Sequence, residues 1–389
     1  MRFLLTTMSA PSHLMPLIPF AHAAQAAGHQ VLVATCGPAL RTATSAGLVA
    51  TEAGAGNDPV TPYEDLVRRL NQERLGVGRS EQEMYALHGE VFGEIGARML
   101  DDLVETIGTW GADAVVYPGI HAAALVAARI AGVPAVLHGY GTPLPTFSPA
   151  LDYLEPHARK AGVDSVREAE VEIDVLPPSL TNFTEVAPRG GRPQHTLPMR
   201  YGAYNGGGLL PLWAMRRGER PRVVATCGSL AAMSQDGAVY REIVRGTAGL
   251  GVELVVLTAG AELSALPDPL PGHVRLVDWM PLERLLASCD AIVHHGGSGT
   301  VLSSFAAGAP QVAVPLPGTV NVTNAQTMTA RGAGRTLDMD ALTADTVAEA
   351  VAEVLRDATR RRAAAEVAAE IAGLPTAAET VGRVHELIG

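Results

Sequence analysis

Two successive runs of short apolar segments alternating with helical stretches constrain this chain more than any other feature, because such alternation is the mark of parallel sheets covered on both faces. In the first run Arg2–Thr7, Gln30–Ala34, Asp113–Tyr117 and Pro134–Leu137 read as strands, with helices over His13–Gly28, Pro38–Ala46 and His121–Ala131. The second run places strands at Arg222–Thr226, Glu253–Leu257, Val274–Leu276, Ala291–His294 and Gln311–Val314. Helices near Met233–Ala248, Leu282–Ala287, Gly299–Ala307 and Val322–Ala330 separate them. At 389 residues the chain exceeds the size at which one core keeps growing, so each run is expected to be a domain. The expected fold class is α/β with two doubly wound domains, residues 1–204 and 221–375. The glycine-rich stretch 205–220 is the expected linker and hinge. Ala341–Ala372 reads as a helix, and Thr376–Ile388 as an amphipathic helix after the break at Gly373-Leu-Pro375.

Charge then narrows the partners. A formal net charge of −11 with no block of Lys or Arg argues against nucleic acid and against an anionic membrane surface. No segment approaches the roughly 20 apolar residues that cross a bilayer. The N-terminal run is interrupted by Thr6, Thr7, Ser9 and His13, unlike a secretory leader. Cys36, Cys227 and Cys289 lie far apart, which suggests neither disulfides nor a metal cluster and fits a reducing cytoplasm. Small molecules are the expected partners.

The segment Asp290-Ala-Ile-Val-His-His-Gly-Gly-Ser-Gly-Thr300 leads from an apolar strand into a helix. The first amides of a helix lack intrahelical acceptors and carry the positive end of its dipole. Gly296, Gly297 and Gly299 would let an anion reach that backbone, Ser298 and Thr300 would add hydroxyls, and His295 another donor. An ordinary tight turn is the alternative. After the first strand, Thr6-Thr-Met-Ser-Ala-Pro-Ser-His13 lacks the glycines of a dinucleotide fingerprint, and no Walker sequence occurs. His13 falls in a first helical turn, where the dipole disfavours imidazolium and leaves a ring able to accept a proton, or where it is simply a polar residue near a helix start. The stretch Asp58–Asp102 breaks the βα rhythm, so it either recognises a variable ligand or covers the sheet. Asp338-Met-Asp340 spells a metal-binding DxD, but it follows a late strand just before a helix capped by Thr343, where exposed carboxylates are routine.

Ser12-His-Leu-Met-Pro16, Ala27-Gly-His-Gln-Val31, Asp278-Trp-Met-Pro281, His294–Thr300 and Gly308-Ala-Pro-Gln311 resemble, in order and spacing, the signatures of antibiotic glycosyltransferases of the GT-B fold. The likeness is to glycosyltransferase family 1, and most to actinobacterial enzymes that attach deoxysugars to aromatic polyketides, angucyclines among them. It implies two Rossmann-like domains facing across a cleft, the first holding the acceptor and the second the nucleotide sugar, with the 376–389 helix packed back on the first. It makes His13 the base, and makes Ser229, Trp279, Met280, His295, Gly297, Ser298, Gly299 and Thr300 the nucleotide and diphosphate site. Val320 and Asn321 would face the sugar, and Asp58, Tyr63, Met84, Tyr85 and His138 the acceptor.

The resemblance further implies an inverting O- or C-transfer from a dTDP-deoxysugar to an apolar polycyclic aglycone, without metal or resident cofactor; a homodimer is among the assemblies allowed. Two departures stand out. Where relatives carry an aspartate that orients the base, this chain has Val116-Tyr-Pro118, which leaves His13 alone or served by Asp58, Glu64 or Asp152. Where relatives carry Asp-Gln for sugar hydroxyls, it has Val320 and Asn321, which suits a deoxysugar. Rival readings are an epimerase of the same fold and a non-catalytic nucleotide-sugar-binding auxiliary protein.

Overall fold

Seven short strands form a parallel sheet in the first part of the chain: β1 (Arg2–Thr6), β2 (Gln30–Thr35), β3 (Ala50–Glu52), β4 (Ala114–Pro118), β5 (Ala135–His138), β6 (Val171–Asp174) and β7 (His195–Pro198). Six more form a second: β8 (Arg222–Thr226), β9 (Glu253–Leu257), β10 (Val274–Val277), β11 (Ala291–His294), β12 (Gln311–Ala313) and β13 (Gly334–Thr336). The strand orders are β3-β2-β1-β4-β5-β6-β7 and β10-β9-β8-β11-β12-β13. In this computed structural model residues 1–72, 78–143, 145–166, 168–181, 193–228, 237–316 and 319–389 are described. Among them no helix is long and apolar enough to cross a membrane.

Strands with helices on both faces are mostly apolar, and all five residues of β4 and of β8 are buried, Arg222 of β8 with its charge paired to Glu253. Each order reverses once, between β1 and β4 and between β8 and β11. At such a switch point the following connections run to opposite faces and leave a crevice beyond the carboxyl ends of the strands. The chain divides into one unit of Met1–Leu176, Glu185–Gly202 and Pro375–Gly389, and another of Pro177–Thr184 and Ala203–Leu374.

The stretch that breaks the rhythm forms helix Thr61–Gln72 and a 30-residue helix, Glu81–Trp110. The latter starts at a reciprocal cap, in which the Glu83 amide donates to Ser80 Oγ and the Ser80 amide to Glu83 Oε2 at 2.7 Å; it stops at Gly111 in the left-handed conformation. Gly89, Gly93 and Gly96 line its inner side, where an added Cβ would lie 2.6 Å from Pro149 Cβ, 2.6 Å from Tyr153 Cβ and 2.7 Å from Ala123 Cβ. Their bare backbone is what lets helices Phe147–Lys160 and Ala122–Ala131 approach.

Several elements depart from expectation. The first helix is broken into Pro11–Leu14, a 3₁₀ turn Met15–Leu17, and Ile18–Ala26, because Pro16 and Pro19 cannot donate to the preceding turn. Ala341–Ala372 is two helices, Ala344–Arg356 and Ala358–Gly373, the second capped by the Asp357 side chain. The helix expected near Met233 is described from Ala238 to Thr247.

The glycine-rich stretch belongs wholly to the second unit. Buried Arg222 donates to the carbonyls of Trp213 and Ala214 and pairs with Glu253 at 2.9 Å, and Trp213 stacks against the Arg275 guanidinium at 4.3 Å. The closing helix Ala377–Ile388 belongs to the first unit. It buries Thr380, Val381 and Val384 and sets His385 against His29, ring centroids 5.3 Å apart.

Candidate active site

In the second unit the switch point lies between β8 and β11, with His294 registered beside Thr226. The chain leaves β11 through two histidines whose rings do different things. His294 accepts the Gly296 amide on Nδ1 at 3.0 Å, so its Nε2 carries the hydrogen and donates to Gln311 Oε1 at 2.9 Å. Burial pushes its pKa down to about 3. It is a neutral brace for the turn.

His295 is the histidine of the anion motif. Its ring lies against two glycines, for a Cβ on Gly297 would fall 2.3 Å from His295 Nε2 and one on Gly228, at the end of β8, 2.7 Å from Cε1. Burial holds its pKa near 4 against the opposing pull of the Thr226 backbone, and Nδ1 has no hydrogen-bond partner within 3.5 Å among the described residues. A buried ring nitrogen left so is poised for a ligand or water. His295 is therefore neutral at pH 7, and offers a hydrogen bond rather than a charge.

Helix Ser298–Ala306 follows with Gly297 as its N-cap, a residue with no side chain of its own to accept the first-turn amides. A glycine-capped terminus of this kind can receive an anion on its backbone amides. Gly296, at φ 88°, turns the chain into it, with Asn321 backbone oxygen so close that a Cβ there would sit 2.5 Å away. Thr300 is buried at the same turn.

The other nucleotide candidates sort clearly. Trp279 is 46 % exposed, with Gly206 and Gly208 passing so near that a Cβ on Gly206 would lie 3.2 Å from Trp279 Cζ2. The glycines there accommodate the indole and leave a flat aromatic surface open. Met280 has its side chain in an apolar cluster with Leu282, Leu285 and Ile292, so only its backbone is available to a ligand. Ser229 lies outside the described residues.

The sugar-facing expectation for Asn321 needs correcting. Its side chain is 2 % exposed and donates to the Leu316 carbonyl at 3.0 Å, so it braces the loop entering helix Thr319–Ala330. Val320, beside it, is half-buried. One turn on, Asn324 was missed: its Nδ2 donates to the Gly296 carbonyl at 2.8 Å and to Ser298 Oγ at 3.0 Å. The i, i+3 spacing of the two asparagines on one helix face was the available signal.

In the first unit the switch point lies between β1 and β4, and His13 follows β1. Helix Pro11–Leu14 is only four residues long, too short for a strong dipole; burial of the ring, set 5.9 Å from that of Tyr140, lowers the His13 pKa to about 4. Its Nδ1 has no hydrogen-bond partner among the described residues. None of the proposed carboxylate partners stands with it. Asp58 is exposed and accepts the Thr61 amide, while Glu64 and Asp152 are exposed on helices Thr61–Gln72 and Phe147–Lys160.

The titratable neighbour felt electrostatically across this switch point is His121, which the sequence offered only as a helix start. It is fully buried, bonded through Nε2 to Thr6 Oγ1 at 3.2 Å, and its pKa is pushed to about 3 by burial and by His13. His138, at the end of β5, is also fully buried, with its Nδ1 on the Gly139 carbonyl at 2.6 Å and its pKa lowered to about 4. Fully buried, it presents no exposed surface to an acceptor. Tyr63 stacks on Phe92, ring centroids 6.3 Å apart, in the core margin; Met84 and Tyr85 are half-buried on the long helix. Asp338 and Asp340 are exposed, and among the described residues no cluster of His, Cys, Asp and Glu could hold a metal ion.

Comparison with known proteins follows the same outline. Residues 22–228 match the family described as Erythromycin biosynthesis protein CIII-like, N-terminal domain, and residues 242–387 its C-terminal domain. The chain is 37% identical to the L-demethylnoviosyl transferase of Streptomyces niveus over 87% of this chain and 86% of that one. It is 30% identical to the aclacinomycin-T 2-deoxy-L-fucose transferase of Streptomyces galilaeus, covering 90% and 87%. The crystal structure of the Streptomyces sp. SF2575 glycosyltransferase SsfS6 complexed with thymidine diphosphate superposes with a TM-score of 0.79 at 27% identity, covering 99% of both chains.

Proposed function

As a member of the Erythromycin biosynthesis protein CIII-like family of glycosyltransferases, with the GT-B fold of two α/β units, the chain is an enzyme, and we propose that it moves a deoxyhexose from a dTDP-sugar to an apolar polyketide-type aglycone with inversion at the anomeric carbon. The observation that carries this reading is the glycine-capped start of helix Ser298–Ala306 at a switch point, flanked by His295 Nδ1, which makes no hydrogen bond among the described residues. Such a terminus stabilises the charge that develops on a departing diphosphate, which is where preorganised donors contribute most. The exposed Trp279 ring supplies a platform for a base.

The reaction balances as a single displacement. The acceptor oxygen or carbon forms a bond to the anomeric carbon as the bond from that carbon to the diphosphate oxygen breaks; the acceptor proton passes to His13, and dTDP leaves. No metal enters the scheme, because the helix terminus and neutral donors receive the leaving-group charge. The half-buried Val320, where a carboxylate would bind sugar hydroxyls, supports a deoxysugar donor. Relatives named for deoxysugar transfer and a thymidine diphosphate complex support the same substrate class. Three buried free cysteines fit a reducing, cytoplasmic setting. An epimerase of this fold is disfavoured by the absence of any carboxylate between Thr7 and Ser12.

The test is release of dTDP from a dTDP-deoxysugar by the purified chain, with and without an aromatic polyketide aglycone. Aglycone-dependent release with a glycosylated product is expected. Release or epimerised sugar without aglycone would refute the reading.

A further inference from the structure

The geometry points to Asn324 as a positioning residue that fixes the direction of the Ser298 hydroxyl proton, so that Ser298 meets a bound diphosphate as a donor. The inference rests on the reading of this turn as the diphosphate site and adds to it a residue that does not itself touch the ligand.

The argument begins with the Asn324 amide, which is 3 % exposed. Oxygen and nitrogen of such a group are told apart by their neighbours. Here the Gly296 carbonyl, 2.8 Å away, can only accept, so the atom facing it is Nδ2. An amide nitrogen carries two hydrogens. One goes to Gly296, and the other meets Ser298 Oγ at 3.0 Å. Because Ser298 accepts there, its single proton cannot point back at Asn324. It is directed away from Asn324, at the first residue of a helix whose N-cap is a glycine.

The same nitrogen also holds the turn in shape. Gly296 is gripped on both backbone groups: its amide by His294 Nδ1 at 3.0 Å, its carbonyl by Asn324. A hydroxyl left to rotate would meet an anion with its proton only part of the time, and ordering it on binding costs affinity that a preset proton does not. Helix Thr319–Ala330 thus stands behind the turn, and its Asn324 serves the diphosphate site through Gly296 and Ser298.

A double-mutant cycle in the full-length protein, read as dTDP affinity by calorimetry, tests this. Asn324→Ala is expected to weaken dTDP about tenfold in the wild-type background but no more than about threefold in the Ser298→Ala background, the remainder being the share that runs through Gly296. The isosteric Asn324→Asp, which reverses the polarity of the contact and draws the serine proton toward itself, is expected to weaken dTDP at least as much in protein that stays folded by circular dichroism, with a lower unfolding temperature from the lost Gly296 contact. Equal losses in both backgrounds, or full affinity in Asn324→Asp, would overturn the role. Wild-type protein that binds neither dTDP nor UDP would overturn the diphosphate reading itself, which separates the two failures.

Discussion

His13 combines a half-buried, desolvated ring with the absence, among the described residues, of any carboxylate acting on it, and this sets how its catalysis should depend on pH. A base works when deprotonated, and a pKa lowered to about 4 leaves it so through the whole neutral range. The pH profile of kcat/KM should therefore stay flat from pH 8 down to about 5.5 and fall only as pH nears 4, with no limb at the ordinary histidine value. His121→Asp puts a negative charge at the same switch point, which favours the imidazolium of His13, so the acid limb should move up by about one unit or more. An unmoved limb in a folded His121→Asp protein would remove His121 from the electrostatics of the base. His13→Ala should abolish O-transfer while leaving dTDP affinity intact. On the other unit, Gly297→Ala drives a methyl into the His295 ring, 2.3 Å from Nε2. Calorimetry should show dTDP affinity falling at least as far as in His295→Ala, because the added group both displaces the ring and obstructs the amides of the turn.

The long helix Glu81–Trp110 shows how an element can be fixed by what is missing from its side chains. Glycine lowers helix stability by about 1 kcal/mol relative to alanine, so each glycine there needs a reason. Gly108 is exposed and has nothing within 4 Å of where its Cβ would be, and Gly108→Ala should raise stability by about 0.5–1 kcal/mol. Gly93→Ala should do the opposite, because the new methyl would lie 2.6 Å from Tyr153 Cβ and the helices must separate; a net loss of about 1–3 kcal/mol is expected despite the gain in propensity. Chemical denaturation of the two variants side by side checks the contrast, and equal shifts would dismiss the packing argument. The same helix marks a limit of sequence reading. The break in the βα rhythm was legible, whereas the 30-residue length of the helix and its partners depend on contacts with Pro149, Tyr153 and Ala123 far along the chain. The strands β8, β9 and β11 were legible to the residue, being continuous apolar runs; β3, β6 and β7 were not, since Ala50-Thr-Glu52 or His195-Thr-Leu-Pro198 carries no such run and is a strand only because a neighbour pairs with it.

Over the whole molecule, the site motifs were legible where chemistry is local, as in the turn after β11, and illegible where partners meet across strands, as with His121 and Thr6 or Asn324 and Ser298. Both units hold uncharged histidines beyond the carboxyl ends of their central strands: half-buried His13 with buried His121 and His138 in one, buried His294 and His295 in the other. Burial pushes all five down, to about 3 for His121 and His294 and about 4 for the others. The sign follows from linkage. The unfolded chain, with ordinary histidines near 6.5, binds more protons than the native state between about pH 6.5 and 4, so stability is complete above that window and falls as pH drops through it. Each histidine contributes up to about 1.4 kcal/mol per pH unit there, and because both units hold such groups, neither should survive acid alone. The unfolding temperature should drop steeply between pH 7 and 5, above the range in which carboxylates titrate, and calorimetry in buffers of different ionisation enthalpy should register proton uptake on unfolding. Saturating dTDP at pH 7 should raise the transition, by about 2.7 kcal/mol at a hundred times its Kd. An unfolding temperature unchanged from pH 7 to 5 would mean that these imidazoles carry protons in the native state, and a protonated His13 could not serve as the base.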